Sequence, residues 1–391
     1  MHNLCQPDIL MKLVTLVTSD PPDDADERNR YKYANMAYEV LSSEKSQICE
    51  TFANHPDLVS NLYEKLQSAE PLNPLLASLI CKVIFSLLQN VSKVSDDIHS
   101  RRGDFVSSLV ANVGTSAVMD LLFKSISCSA SPEISSAYLN FYYKQGLVEK
   151  LIALFKADVD PAAQSNAAQL LCDILVIRCS REHQTCNLEN AGPNSLLDDI
   201  ESTDTITNLL TNMFETRTES CLVNGIQVIQ ALLEYRRYRT NLPFISHVCC
   251  QRNSVTRFDD TDIERLTKSV QQVHAAIVPR LEDFHSLLTN PPEKSSVVHL
   301  IRTLLSSNNP TINRKLTTLK TLPVLMDLFF AYPYNNFLHT QVEQSINCIL
   351  DNPKSTSPVT SPTEIEEKGM VKTEKLILSS STDTQDNSYT R

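Results

Sequence analysis

Residues Glu219–Glu234 read ESCLVNGIQVIQALLE, and the spacing within this stretch decides the fold. Leu222, Ile226, Ile229 and Leu233 recur at helical intervals, and Val228 and Leu232 widen the apolar stripe beyond one narrow face. A helix this apolar predicts cover by other helices on more than one side. Asn224 and Gln227 stand one turn apart in it. Gly225 occupies a helical position where alanine would be more stable by roughly 1 kcal/mol, which predicts close approach of a neighbouring element.

The pattern recurs. Asn166-Ala-Ala-Gln169-Leu170-Leu171-Cys-Asp-Ile174-Leu175 aligns without gaps on Asn224-Gly-Ile-Gln227-Val228-Ile229-Gln-Ala-Leu232-Leu233. The same paired doublets appear as Val83-Ile84 with Leu87-Leu88, and as Ala117-Val118 with Leu121-Leu122. Gln344, Ile346 and Ile349-Leu350 form a partial copy. Doublets starting at 83, 117, 170 and 228 leave room for further helices in each interval. Units of this size bury their apolar faces only by stacking, so the expected fold is all-α, an irregular HEAT/armadillo-like α-solenoid.

Composition narrows the function classes. The 391 residues contain only 6 Gly, no two closer than Gly103 and Gly114. That spacing excludes a GxGxxG loop and a P-loop, both of which need clustered glycines to bring backbone N–H groups to a phosphate. A net charge of −11 argues against nucleic acid as a partner. No apolar run approaches the ~20 residues of a membrane span. The 11 cysteines are scattered through apolar helical runs, and MHNLCQPDIL resembles neither a signal nor a transit peptide. Reduced thiols in the cytoplasm, with the nucleus as a second compartment, are the expectation.

Along the chain, helical spacing is expected over 4–18, 31–41, 44–53, 56–68, 73–90, 104–112, 115–128, 133–144, 146–157 and 161–179. Gly146 fits a left-handed position between two of these. A polar stretch at 180–195 precedes helices at 195–201, 203–214 and 219–236, and a long, partly basic connection at 235–260 follows. Helices return at 261–289, 294–306, 311–320, 322–331 and 335–351. The array is expected to occupy 1–352. Residues 353–391, rich in Ser, Thr and Pro, read as a disordered tail in which Ser357 and Ser361, each before proline, fit proline-directed phosphorylation.

Several blocks resemble the SAPS-domain family, regulatory subunits of protein phosphatase 6. They are Leu72-Asn-Pro-Leu-Leu-Ala77, Gly114-Thr-Ser-Ala-Val-Met-Asp-Leu-Leu122, Ser165-Asn-Ala-Ala-Gln-Leu-Leu-Cys-Asp-Ile174, Asn212-Met-Phe-Glu215, Glu219–Glu234, and the run from Asp327 to Glu343. They occur in family order, so the similarity covers about 4–352. Against the family pattern, the chain starts at the block resembling Leu4-Cys-Gln-Pro7, so the expectation is either an incomplete gene product or a variant lacking the first helices, with the N-terminal edge of the array uncapped. Phe141 and Tyr334 stand where the family usually has tryptophan, and the long C-terminal region is nearly absent. The resemblance implies a non-catalytic subunit that binds the catalytic subunit of a protein phosphatase 6-type enzyme, with an ankyrin-repeat subunit as a further partner. A solenoid adaptor for another protein cargo is one alternative, and a zinc-dependent enzyme using the Cys172–Cys186 set is an alternative of a different class.

Catalytic chemistry is not expected from this chain. A dinuclear phosphatase centre needs closely spaced Asp, His and Asn, and neither GDxHG nor GNHE occurs. Cys172, Cys179, His183 and Cys186 could ligate zinc but lack a CxxC knuckle, so packed thiols are preferred. His247, Cys249 and Cys250 make a weaker set. No cofactor or metal is expected. Candidate partner-binding residues are Asn166, Asn224 and Gln227, whose amides either grip an extended partner or cap neighbouring helices. Gln344 falls at the same repeat position. Arg236, Arg237 and Arg239 either satisfy the end of a helix or dock an acidic or phosphorylated surface. Tyr334, Asn335, Asn336 and His339 sit among rings; Phe329, Phe330 and Phe337 are expected in the core, with Tyr334 open.

Overall fold

The computed structural model describes residues 5–21, 30–43, 46–67, 73–90, 105–127, 132–184, 195–240, 270–289 and 294–351. The chain divides into a unit of Met1–Ile349 and a second of Leu350–Arg391, the latter described only at 350 and 351. Among the described residues every regular element is helical. The helices are α1 (Pro7–Thr18), α2 (Lys32–Leu41), α3 (Ser46–Asn54), α4 (Pro56–Gln67), α5 (Pro74–Asn90), α6 (Phe105–Ala111) and α7 (Ser116–Ser127). They continue with α8 (Pro132–Lys144), α9 (Leu147–Ile152), α10 (Pro161–Gln184), α11 (Ser195–Ile200), α12 (Thr203–Thr216), α13 (Glu219–Thr240) and α14 (270–277). After a 3₁₀ turn at Val278–Arg280 come α15 (Leu281–Thr289), α16 (Lys294–Ser306), α17 (Pro310–Thr318), α18 (Thr321–Ala331) and α19 (Asn336–Leu350).

Local chemistry sets the boundaries. Proline opens α1, α4, α5, α8, α10 and α17, where its missing N–H is not needed and its fixed φ suits the first turn. Asn309 and Ser202 cap α17 and α12 by accepting from backbone N–H groups of the first turn. Gly146, at φ 64°, turns the chain between α8 and α9, as its position in the sequence predicts. Two helices outrun their expected ends. α10 reaches Gln184 and α13 reaches Thr240, because helix formers such as Arg181, Glu182, Arg237 and Arg239 propagate the ladder past the buried stripe. In the other direction, α9 is short. Gln164, buried at the start of α10, donates through Nε2 to the carbonyls of Lys156 (2.6 Å) and Val159 (3.5 Å) and holds the chain that follows α9 in a turn.

The helices stack in two rows. One runs α2–α5–α7–α10–α13–α16, with α10 and α13 the most extensively packed pair. The other runs α4–α6–α9–α12, extended to α15 by the edge-to-face pair Phe214–Phe284 (4.9 Å) and to α18. Between the rows lies a continuous apolar core that includes Leu170, Leu171, Ile174 and Leu175 of α10 and Val228, Ile229 and Leu232 of α13. Both doublets of α5, α10 and α13 are therefore buried, as is Leu121-Leu122 of α7, whereas Ala117 is half-buried and Ile349-Leu350, in the partial copy, is exposed.

Side-chain amides tie each unit to the previous one. Asn112 donates to Leu66 O (2.7 Å), Asn166 to Val113 O (2.9 Å) and Asn212 to Ile152 O (3.1 Å). These bonds bridge 46, 53 and 60 residues, one repeat each. Such nearest-neighbour coupling is the defining property of a solenoid, and the fold is an all-α, irregular helical solenoid. No helix among the described residues is long and apolar enough to cross a membrane.

Candidate partner-binding surface

Across α10, α13 and α16 the first row carries a run of polar side chains at its partly open positions. On α13 no residue from Ser220 to Glu234 is fully exposed, because α10, α12 and α16 cover the helix. The partly open positions are 220, 223, 227, 230, 231 and 234, one stripe at helical spacing. Gln227 donates from Nε2 to Gln169 Oε1 (3.4 Å), and Gln169 donates in turn to Asp173 Oδ1 (2.9 Å). Gln230 donates to Ser296 O of α16 (2.9 Å). A polar seam thus crosses three consecutive helices of the row.

Its far end is an ion-pair cluster. Glu234 Oε1 lies 3.0 Å from Arg302 Nη2, 2.9 Å from His299 Nε2 and 3.3 Å from Thr303 Oγ1. His299 Nε2 is also 2.7 Å from Arg302 Nη2. One ring nitrogen cannot donate to the carboxylate and accept from the guanidinium at once. Donation to Glu234 is the arrangement in which the carboxylate oxygen, an acceptor only, uses all three donors. The bond from His299, aided by the charges of His299 and Arg302, holds the Glu234 carboxyl below its usual range against the opposing effect of burial. Sequence reading missed this cluster, since its members lie 65 to 69 residues apart and only a placed α16 brings them together.

The candidate amides divide. Asn166 is consumed by the carbonyls of Val113 and Gly114, and Asn224 by Ser220 Oγ (3.1 Å), so both hold the fold. Gln227 faces outward with Gln169, its repeat equivalent, which sequence alignment exposes but which the candidate set omits. Gln344 is exposed on α19. Arg236, Arg237 and Arg239 fall within the last turns of α13, so residues 235–240, expected to open a long connection, are helical. Their side chains lie outside the described residues, as do 241–269, the tail from 352 with Ser357 and Ser361, and the second thiol set at His247, Cys249 and Cys250. Of the possible zinc set, only the Cys172 side chain is described. Burial, then the nearby Asp173 charge, pushes its thiol up to about 12, which keeps it protonated.

A second surface sits at the corner between α18 and α19, and here the structure overturns an expectation. Phe330 is 71% exposed and Phe337 53% exposed, not in the core. The reason is that α18 buries a single face, Thr321, Leu325 and Leu328, and residue 330 points away from it. Phe329 is half-buried and stacks on His339 (4.1 Å between ring centroids), whose Nε2 donates to Phe329 O (3.0 Å). Asn335 accepts from Leu338 N (3.0 Å) as the cap of α19, and Asn336 is exposed at its first turn. Tyr334, at the tip, is 97% exposed. Phe337 meets His299 edge to face (6.4 Å), which joins this corner to the ion-pair end of the seam.

A model of the family of SIT4 phosphatase-associated proteins, SAPS, matches residues 98–310 and 309–372. The chain belongs to the SAPS family. Human serine/threonine-protein phosphatase 6 regulatory subunit 2 is 37% identical over 368 residues, covering 89% of this chain and 37% of that protein. Human regulatory subunit 1 of the same phosphatase is 36% identical over 382 residues, 91% of this chain and 43% of the relative. A fission-yeast protein, extragenic suppressor of kinetochore protein 1, is 30% identical over 246 residues, 60% of this chain and 28% of that one. The chain spans about two fifths of the length of the human relatives it matches. Among solved structures, a designed armadillo repeat protein in complex with a peptide aligns over 87% of the chain and 98% of its own at 12% identity, with a TM-score of 0.32, too loose to carry an argument.

Proposed function

We propose that this SAPS chain is a non-catalytic regulatory subunit that binds the catalytic subunit of a protein phosphatase 6-type Ser/Thr phosphatase and carries it to substrates. The observation that carries the reading is membership of the SAPS family, with relatives named as regulatory subunits of that phosphatase matching about nine tenths of the chain. The physical role follows from the architecture. A stack of helices offers a long, pre-organised surface, and holding enzyme and substrate together raises their effective concentration without any reactive group of its own.

The contact for the enzyme in this reading is the α18–α19 corner. Tyr334, Phe330 and Phe337 supply aromatic anchors of the kind that dominate protein interfaces. The Phe329–His339 stack and the Asn335 cap keep that corner rigid, which limits the entropy lost on binding. An ankyrin-repeat subunit completes the assembly, and its compartment is the cytoplasm with the nucleus as a second location; the cysteines of the described residues are free thiols, which suits both.

The test mixes purified chain with phosphatase 6 catalytic subunit and follows size-exclusion chromatography. A stoichiometric complex is expected, together with no hydrolysis of a phosphopeptide by the chain alone in the presence of manganese. A folded chain that forms no complex, or that hydrolyses the peptide unaided, overturns the reading.

A further inference from the structure

We infer that the seam between α10 and α13 is a subsite for an extended, lysine- or arginine-bearing segment of a partner protein. The floor of the seam is the Gln227–Gln169–Asp173 chain of hydrogen bonds. Each amide uses one of its donors in that chain, and Gln227 Oε1 and Asp173 Oδ2 have no protein partner among the described residues. A carboxamide offers a donor and an acceptor together, the pair needed to bind the N–H and C=O of an extended main chain. Packed helix axes lie about 8–10 Å apart, which matches roughly three residues of extended chain at about 3.3 Å each. Successive helices of the row can therefore engage successive main-chain groups.

Asp173 fixes the sign of the ligand. It is half-buried, no cation pairs with it among the described residues, and burial raises its carboxyl above the usual range. The bond from Gln169 (2.9 Å) offsets only part of that burial cost and leaves the negative charge without a counter-charge among the described residues. Two other acids of the row are paired with cations, Asp120 with Lys124 (2.6 Å) and Glu234 with Arg302 (3.0 Å). One turn beyond Asp173, Val176 is 56% exposed and gives the methylene stem of a basic side chain an apolar wall. The net charge of −11 draws the same ligand from a distance.

Fluorescence anisotropy on the full chain tests this with three labelled eight-residue peptides, alternating alanine with lysine, glutamine or glutamate. The lysine peptide is expected to bind at least tenfold more tightly than the glutamate peptide. Asp173→Asn should weaken the lysine peptide by about fivefold, the scale of one partly exposed ion pair, with a melting point unchanged or higher. Asp8→Asn, an exposed acid on α1, should change nothing. The double variant Gln169→Ala/Gln227→Ala should weaken the lysine and glutamine peptides alike, through the lost grip on the main chain. Equal binding of the lysine and glutamate peptides overturns the inference, and so does an Asp173→Asn chain that binds like wild type or no more weakly than Asp8→Asn. Because the assay contains no phosphatase, those results leave the proposed function standing, and failure to bind phosphatase leaves this subsite standing.

Discussion

A methyl group added at Gly225 would stand 2.9 Å from Met213 Sδ and 3.4 Å from Met213 Cβ, inside contact distance. Met213 is fully buried, so its thioether has no open space to swing into. Gly225→Ala should therefore forfeit the roughly 1 kcal/mol that alanine gains in a helix, through overpacking that costs about 1–3 kcal/mol. In a Met213→Ala background the obstruction is gone, and the same substitution should become stabilising by about 1 kcal/mol. Urea unfolding of the four members of this double-mutant cycle measures the difference. Glu234 gives a second test at this scale. Its folded-state carboxyl titrates below the unfolded one, so its contribution is present above about pH 4.3 and is lost as pH falls through the folded value. The melting point of wild type should fall more steeply over that window than that of Glu234→Gln. Parallel curves would show that the His299 and Arg302 contacts do not hold α16 to α13.

At the scale of the helix, α13 was legible because its doublets repeat those of α10 and because both doublets are covered. Leu232 is 1% exposed. Leu232→Asp should bury an unpaired carboxylate and cost at least about 3 kcal/mol, seen as loss of helical circular dichroism at a lower urea concentration. What periodicity could not reveal is which face stays open when a helix has neighbours on one side only. Five rings between Phe329 and Phe337 look like core by count, yet α18 has one buried face that Phe330 falls off, and Phe337 lies on α19 outside the face buried through Leu338, Gln341, Val342 and Ser345. Asn166, Asn224 and Gln227 are alike in sequence and differ in use, because a carbonyl of the previous unit lies under Asn166, a serine one turn back lies under Asn224, and only a second glutamine lies beside Gln227. The Glu234 cluster was invisible for a simpler reason. Its partners belong to α16, and no local pattern links residues so far apart in the chain.

For the whole molecule, nearest-neighbour coupling means that a surface change stays local. The bonds from Asn112, Asn166 and Asn212 each reach one unit back, so altering an exposed corner should leave the stack beneath it unchanged. Phe330 and Tyr334 can therefore be removed without confusing binding with folding. The double variant Phe330→Ala/Tyr334→Ala should keep the wild-type melting point within a degree or two, since surface substitutions of this kind usually change stability by no more than about 0.5 kcal/mol. If these rings anchor the phosphatase, each truncation costs about 2 kcal/mol of binding, and even one such loss raises Kd by about thirtyfold. Titration calorimetry against the catalytic subunit measures that shift directly. A Kd within threefold of wild type, from a variant with an unaltered melt, would remove the α18–α19 corner from the interface and direct attention to the polar seam on α10, α13 and α16.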